Sequence, residues 1–379
     1  MGIFRQTPIA WRMLSDKPSR LAFSILGVAF SVVIMFMELG FFNGTNDSSA
    51  NLPPLFDCDL ILSHPEKTHL KTGEEFSHLR LQQVSAIAGV AAVAKFNTGA
   101  GYWWNPQDRT RNRVLLIGVD LDNPMFSISG IAAHRAELRL PETVLYDRLS
   151  RHDLGRIETG TRTQIDGNPV RVVGLFNLGP NFTYEGHVIM GLENFQRIVG
   201  QPATSLDLGL IRVTPGADVE AVRRDILARL PKDILLLTPA EILRREIIVT
   251  TKRSPAGVVF GIGLIVGFAI GTIICYQILF NEVNDHLPQF ATMKAMGHPP
   301  GFISGIVRNE ALLLSIVGYV PGLAVSFGIY ALIEHFTQIR MFLTVPRALL
   351  ILVLTSGMCF LAARFAVKRV HATDPADLF

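Results

Sequence analysis

The sequence predicts an α-helical membrane protein with four transmembrane helices and a mixed α/β domain inserted between spans 1 and 2. Three observations carry that prediction. The 379-residue chain is 49% hydrophobic and only 18% charged, where a soluble domain carries about a quarter charged residues, and its mean hydropathy is +0.33. Four long apolar runs approach or exceed the roughly 20 residues a helix needs to cross hydrocarbon. Between the first two runs lie about 210 residues with the mixed periodicity of a folded domain. The composition excludes disorder. A net charge of +3, from 35 basic and 32 acidic residues, is no nucleic-acid footprint. The three cysteines, Cys58, Cys275 and Cys359, have no CxxC spacing and support neither a disulfide framework nor a zinc site.

Taken in order, Leu21 to Phe42 is the first span (21–42), with one charge, Glu38. It is too long for a signal h-region and no A-x-A-like cleavage site follows, so it reads as a retained anchor. Arg5, Arg12, Lys17 and Arg20 before it place the N-terminus in the cytoplasm. The outer domain covers 43–252. Strands are expected over Phe56 to Leu62, Val114 to Val119 and Val170 to Phe176, the last after a turn at Asp166-Gly167-Asn168. Ala217 to Leu230 has helical periodicity, with Val219, Val222, Ile226 and Leu230 on one face. Thr238-Pro239-Ala240-Glu241 announces a second helix: Thr caps, Pro takes the first position, and Glu reaches back to the cap N–H. That helix runs toward span 2, broken at most by Ser254-Pro255, and predicts a stiff connection. Span 2 is 256–280 and span 3 is 311–333, both without charge, joined by a cytoplasmic loop over 281–310. An outer loop, 334–347, leads to span 4 at 348–367. Its uncharged part, Ala348 to Ala363, is short, and Arg347 and Arg364 snorkel from its ends. Arg364, Lys368 and Arg369 agree with a cytoplasmic C-terminal tail (368–379). Lys252, Arg253, Arg340 and Arg347 fall on the outer side and weaken the charge bias without reversing it.

Chemistry-bearing motifs are few. There is no P-loop, G-x-S-x-G, S-x-x-K or H-E-x-x-H, so the chain has no nucleotide site of that kind and no catalytic constellation. Gly257/Gly261 and Gly267/Gly271 form two G-x-x-x-G pairs inside span 2, where small residues let helices approach closely in lipid. Helix packing is favoured over a ligand role; the packing partner is another span or a second copy of the chain. His64, His69 and His78 with Glu66, Glu74 and Glu75 fit no zinc spacing, and no metal site is assigned. Glu38 reads as an anchor near the outer interface, with a pathway or relay role as the alternative. Tyr102, Trp103 and Trp104, followed by Asn105-Pro106, read as a strand entering a turn, with a partner-binding patch as the sharper alternative. After Pro288 the cytoplasmic loop predicts a short helix exposing an apolar side, Phe290, Ala291, Met293 and Met296, and ended by Gly297. Such a helix either rests on lipid or is presented to the groove of a cytosolic partner.

At this loop the sequence resembles the FtsX-like permeases of ABC exporters, the group that includes MacB and the lipoprotein-releasing proteins. The resemblance rests on Phe290-Ala-Thr-Met-Lys-Ala-Met-Gly297, on Asn309-Glu310-Ala311-Leu312-Leu313 at the start of span 3, and on the Lys368-to-Asp377 ending with its Asp374-Pro375. Ile9-Ala-Trp-Arg-Met-Leu14 is similar to the family's N-terminal amphipathic helix, expected here within residues 1–20. Within the family the likeness is greatest to DevC-type permeases, known from heterocyst glycolipid export. It is carried by Asp285 to Gly297, Pro141 to Asp147 and Val170 to Gly179. Gln289 departs from the usual Glu, and Glu38 stands where a neutral residue is commoner.

The resemblance implies a multi-pass permease of the bacterial inner membrane, with its large domain in the periplasm, acting as a homodimer. A separate cytoplasmic ABC ATPase supplies ATP and Mg chemistry, and this chain needs no cofactor of its own. It further implies a periplasmic HlyD-type adaptor, an outer-membrane channel, and export of a lipid, glycolipid or other amphiphile driven from the periplasm or outer leaflet. Leu287, Phe290, Met293, Lys294, Met296 and Gly297 are the expected ATPase-coupling residues, with Phe290 and Met293 filling the partner's groove and Lys294 at its rim. The alternative within the family is a force relay to a periplasmic cell-wall hydrolase, and the 210-residue outer domain favours export over it.

Overall fold

Backbone N–H and C=O groups find no water in hydrocarbon, so an apolar run must satisfy them within itself, and a helix is the local solution. A computed structural model of the chain describes residues 10–67, 69–70, 74–252, 255–338 and 341–372. Arg5, Ile9, Arg253, Ser254, Arg340 and the Asp374-Pro375 ending lie outside the described residues. Four helices have the length and hydropathy to cross a membrane. The span 1 helix is Pro18–Ser49, span 2 Pro255–Asp285, span 3 Pro300–Thr337 and span 4 Val345–Ala372. The chain divides into a helical unit built on these spans and a second unit built on Gly44–Gly257.

The core of the helical unit draws on every span: Val28, Val32, Met35 and Phe36 from span 1, Cys275 and Leu279 from span 2, Ile306 and Leu314 from span 3, and Ile351, Met358 and Cys359 from span 4. Two tyrosine hydroxyls find backbone acceptors on a neighbouring span, Tyr319 on the Ala348 carbonyl at 2.8 Å and Tyr330 on the Phe36 carbonyl.

The second unit is the mixed α/β domain. It opens with β1 (Leu60–Ser63), β2 (Phe76–Ser77), α1 (His78–Ser85), β3 (Val90–Trp104) and β4 (Arg111–Val119). Next come α2 (Arg135–Leu138), β5 (Thr143–Asp147), β6 (Arg162–Ile165), β7 (Asn168–Phe176) and β8 (Gly186–Gly191). It closes with α3 (Leu192–Val199), β9 (Ser205–Leu206), β10 (Leu208–Val213), α4 (Val219–Arg229), β11 (Leu235–Leu237) and α5 (Pro239–Lys252). Nine strands form one sheet in the order β11-β1-β10-β3-β4-β8-β5-β7-β6, and the end of β3 also pairs with β6 through Trp103 and Ile165. Six strands, β3-β4-β8-β5-β7-β6, therefore close into a ring. Its interior holds Trp103, Val114, Leu116, Val144, Ile165, Val172 and Val188, capped by Phe195 of α3. Gly101 makes the closure possible: a Cβ there would lie 2.8 Å from Leu116 Cδ1 and 3.0 Å from Ile165 Cγ2.

Local chemistry sets the element boundaries. The two-residue turn Asp166-Gly167 joins β6 to β7 with φ of 48° and 81°, the doubly positive φ of a type I′ hairpin. Thr238 and Glu241 form a reciprocal capping box: the Thr238 N–H donates to Glu241 Oε2 at 2.8 Å, and the Glu241 N–H donates to Thr238 Oγ1 at 3.2 Å. Burial pushes the Glu241 carboxyl up, but the Thr238 N–H and Arg223 outweigh it and hold it below the usual range. Two sequence expectations are corrected. The strand expected over Phe56–Leu62 begins only at Leu60, because Pro53-Pro54 start a 3-10 turn and Phe56 makes a single bridge to Phe126. The helix expected from Ala217 begins at Val219, where the Asp218 side chain accepts from the Glu220 N–H at 3.0 Å.

Asp147, fully buried at the end of β5, is the polar node of the ring. Its carboxylate accepts from the N–H groups of Leu149 (3.1 Å), Leu178 (3.0 Å) and Gly179 (2.8 Å) and lies 3.2 Å from His187 Nδ1 on β8. Replacing it with Ala strands three partly buried backbone donors. Asp147→Ala is expected to destabilise the domain by about 3 kcal/mol or more, read as a fall in the melting temperature of the purified chain. An unchanged melt would show that these bonds contribute nothing net.

Candidate functional site: the coupling helix and the glycine faces of the spans

The candidate coupling helix, Leu287–Ala295, follows span 2 after a single residue, His286. Pro288 stands in its first turn, where a missing N–H costs nothing. Its end is set by Gly297 at φ +85°, with the Gly297 N–H on the Lys294 carbonyl and the His298 N–H on the Met293 carbonyl. His286 ties the two helices together. Its Nε2 lies 3.3 Å from Glu282 Oε1 on span 2, and its Nδ1 lies 3.0 Å from Gln289 Oε1 on the coupling helix. Asp285 beside it pairs with Arg20 and, at 3.8 Å, with Lys17, both before the apolar part of span 1.

The apolar side of this helix does not face outward as the periodicity predicts. Phe290 is 2% exposed and Ala291 is 6% exposed, in the same buried cluster as Leu279, Val283, Ile303 and Ile306. Met293 packs partly against that cluster and Leu287 is half-buried. A phenyl ring gains about 2–3 kcal/mol on leaving water, and the bundle supplies the site within the same chain. What remains outward is Pro288, Gln289, Thr292, Lys294 and Met296, with Met296 67% exposed.

Glu310 was legible only as part of a family motif. It is 1% exposed, and its Oε1 has no hydrogen-bond partner among the described residues. An acid at the very start of an apolar span was the available signal. Glu38, by contrast, is half-buried, and its carboxyl lies where a Cβ on Gly263 would be.

The glycines of span 2 differ in role. A Cβ at Gly267 would meet Ile34 Cγ2 at 3.0 Å, and one at Gly271 would meet Met358 Sδ at 2.6 Å and Ser31 Cβ at 3.0 Å. Gly263, Gly267 and Gly271 thus make one ridge against span 1. Gly261 has only an ordinary 3.8 Å approach to Phe42, and Gly257 lies against the Thr250 and Thr251 carbonyls of α5. A second ridge went unremarked although it has the same spacing: Cβ atoms at Gly318 and Gly322 of span 3 would meet Val28 at 2.6 Å and Val32 at 2.7 Å. Span 1 is held between two glycine faces.

The histidines of the outer domain disperse. His64 accepts from the Glu66 N–H at 3.2 Å, His69 lies 3.3 Å from Glu246 Oε2, and His78 lies 3.1 Å from the Thr204 carbonyl. Among the described residues no His, Cys, Asp and Glu side chains gather as a metal-ligand set. Of the aromatic cluster, Trp103 is buried and bonded to the Leu154 carbonyl at 3.1 Å, while Tyr102 is exposed.

Four spans, a sheet domain between the first two, and a short helix between spans 2 and 3 define the class of multi-pass membrane subunits with a large outer domain. Residues 21–229, more than half of the chain, match the family model described as the MacB-like periplasmic core domain, and residues 258–375 match the FtsX-like permease C-terminal model. The chain belongs to this MacB- and FtsX-like family of ABC transporter permease subunits, whose ATPase activity resides in a partner. No curated protein matches the sequence. Solved structures similar to it include the periplasmic region of MacB from Actinobacillus actinomycetemcomitans, at 8% identity and a TM-score of 0.37, covering 51% of this chain and 93% of that one. Another is the extracellular domain of the noncanonic ABC-type transporter YknZ from Gram-positive bacteria, at 11% identity and a TM-score of 0.34, covering 47% and 99%.

The glycine ridges give a direct prediction. Gly271→Leu forces span 2 away from spans 1 and 4 and is expected to lower the melting temperature of the detergent-solubilised chain by several degrees. Gly357→Leu, where nothing lies within 4 Å, is expected to leave it unchanged. Equal melts for the two variants would remove the packing role.

Proposed function

We propose that the chain is the permease subunit of a DevC-like ABC exporter in the bacterial inner membrane. Two copies pair, and each engages a cytoplasmic ATPase that carries the ATP and Mg chemistry. Closure of the ATPases moves the coupling helix and the spans, and α5, which leads in sequence to span 2, passes that motion to the periplasmic domain. The cargo is a lipid, glycolipid or other amphiphile, handed to a HlyD-type adaptor and an outer-membrane channel.

One observation supports this reading above others: the coupling helix is anchored from within and open on its outer side. Phe290 and His286 dock it on its own bundle, so it moves with spans 2 and 3, while Gln289, Thr292, Lys294 and Met296 are turned outward. A helix fixed this way transmits displacement; one resting only on lipid would slide. Phe290 is then a positioning residue inside this chain, and Met296 with Lys294 supplies the partner contact.

The test is gentle purification of the tagged full-length chain from native membranes, with identification of what accompanies it. A P-loop ATPase and a coiled-coil adaptor are expected. Met296→Asp and Lys294→Glu are expected to cut recovered ATPase by about tenfold without changing the melt of the chain. Undiminished ATPase recovery from both variants would overturn the coupling assignment. A murein hydrolase or its activator in place of the adaptor would overturn export in favour of force relay.

A further inference from the structure

The hairpin of β3 and β4 carries a surface that neither the packing nor the coupling described above uses. Arg111 and Arg113 alternate along β4 and share one face, and their cross-strand partners are Trp104 and Tyr102. Arg111 Cζ lies 4.6 Å from the centre of the Trp104 ring, and Arg113 Cζ lies 5.1 Å from that of Tyr184. Tyr184 is buried, and burial raises its phenol although Arg113 beside it acts the other way. Tyr102 stands next to this pair, 51% exposed.

Both guanidiniums are exposed, and among the described residues neither forms a salt bridge to a carboxylate. Stacking occupies one flat face of the Arg111 guanidinium and leaves its N–H edge open for two parallel bonds to a carboxylate, while Arg113 also hydrogen-bonds the Tyr184 side chain and keeps its remaining N–H groups for one. Two of the nearby acids are engaged elsewhere, and Glu185, whose Oε2 is buried without a hydrogen-bond partner among the described residues, takes a hydrogen bond from the Arg113 backbone. Asp166 accepts from the Tyr102 N–H at 3.2 and 3.3 Å, and Asp108 holds Thr110. The surface is also rigid. Asn105 and Asn112 both donate to the Asp153 carbonyl, at 3.0 and 2.7 Å, and Thr163 Oγ1 donates to the Trp104 carbonyl at 2.5 Å. A partner docking here would find the side chains already ordered, which lowers the entropic cost of binding.

We propose that Tyr102, Trp104, Arg111 and Arg113 form a docking surface for an extended acidic segment of a protein partner. The spacing decides the class of occupant. Alternate residues on a strand are about 7 Å apart, so Arg111 and Arg113 match acidic side chains at i and i+2 of an extended segment. Tyr102 covers the aliphatic part of such a segment. This inference does not depend on the coupling helix or on the nature of the cargo.

The test uses the full chain in phosphatidylcholine nanodiscs and a synthetic peptide of alternating Glu and Thr, with the Gln-Thr peptide as its control, followed by isothermal titration. The Glu peptide is expected to bind at least about tenfold more tightly than the Gln peptide, and its affinity is expected to fall as salt rises. Arg111→Gln and Arg113→Gln are each expected to weaken it about five- to tenfold, while Arg229→Gln on α4 leaves it unchanged. Since both residues are exposed, the variants are expected to keep the parental melt, which is measured alongside. Equal binding of the two peptides, or equal binding by all variants, overturns the proposal. Arginine-dependent binding to phosphatidylglycerol vesicles with no binding of the Glu peptide overturns it in favour of a lipid surface.

Discussion

In lipid the hydrophobic effect does not draw helices together, because a neighbouring chain is no less polar than the acyl tails it displaces. Close contact is what remains, and in the helical unit glycine provides it. Span 1 lies between the ridge of Gly263, Gly267 and Gly271 and the pair Gly318 and Gly322. Val28, Val32 and Ile34 occupy the space that side chains at those positions would need. The larger residues then fill in around this arrangement: Met35, Phe36 and Met358 in the centre, and the Tyr319 and Tyr330 hydroxyls on neighbouring carbonyls. The candidate coupling helix joins the same packing, since Phe290 is buried in the core cluster to which all four spans contribute.

The outer domain solves a different problem with different means. Water surrounds it, so burial stabilises it, and an open nine-stranded sheet would present two edges. Closing β6 onto β3 removes one of them and creates a small interior that Trp103 and Phe195 fill. The polar cost of that closure is met at Asp147, whose carboxylate serves three backbone donors and His187. Where the chain leaves the sheet for α5, the capping box at Thr238 and Glu241 sets the first turn.

What could be read from residues alone tracks how local the determining physics is. The four apolar runs, the Asp166-Gly167 turn and the Thr238 cap are written in short stretches and each lies within an element of the structure, although the helices extend past the apolar runs, span 3 starting at Pro300 rather than 311. Phe290 shows the limit. Its 3.6-residue periodicity states that the coupling helix has an apolar side, but whether that side faces a partner or the chain's own bundle depends on residues 303 and 306, on another helix. Glu310 and His286 escaped notice because their meaning comes from neighbours on different helices. The strand at Phe56 was misplaced because prolines upstream govern it more than its own hydrophobicity does. Gly318 and Gly322 had a legible spacing and were passed over beside the longer glycine run of span 2.

The strand order has a consequence for how the domain comes to exist. β1 lies between β10 and β11, so its neighbours are made about 150 and about 175 residues after it. A chain threaded across a membrane from its N-terminal side exposes Leu60, Ile61 and Leu62 with nothing to pair them until β10 has emerged, and with one edge open until Leu237 follows. For that interval a short, largely apolar strand waits in solution, the kind of segment that seeks strands of other chains. Residues between β1 and β10 can close the ring during translocation; the outer strands cannot. Maturation of this domain is therefore paced by transit of its last strand, and its window of vulnerability to aggregation is set by translocation speed and by whatever shields β1 meanwhile.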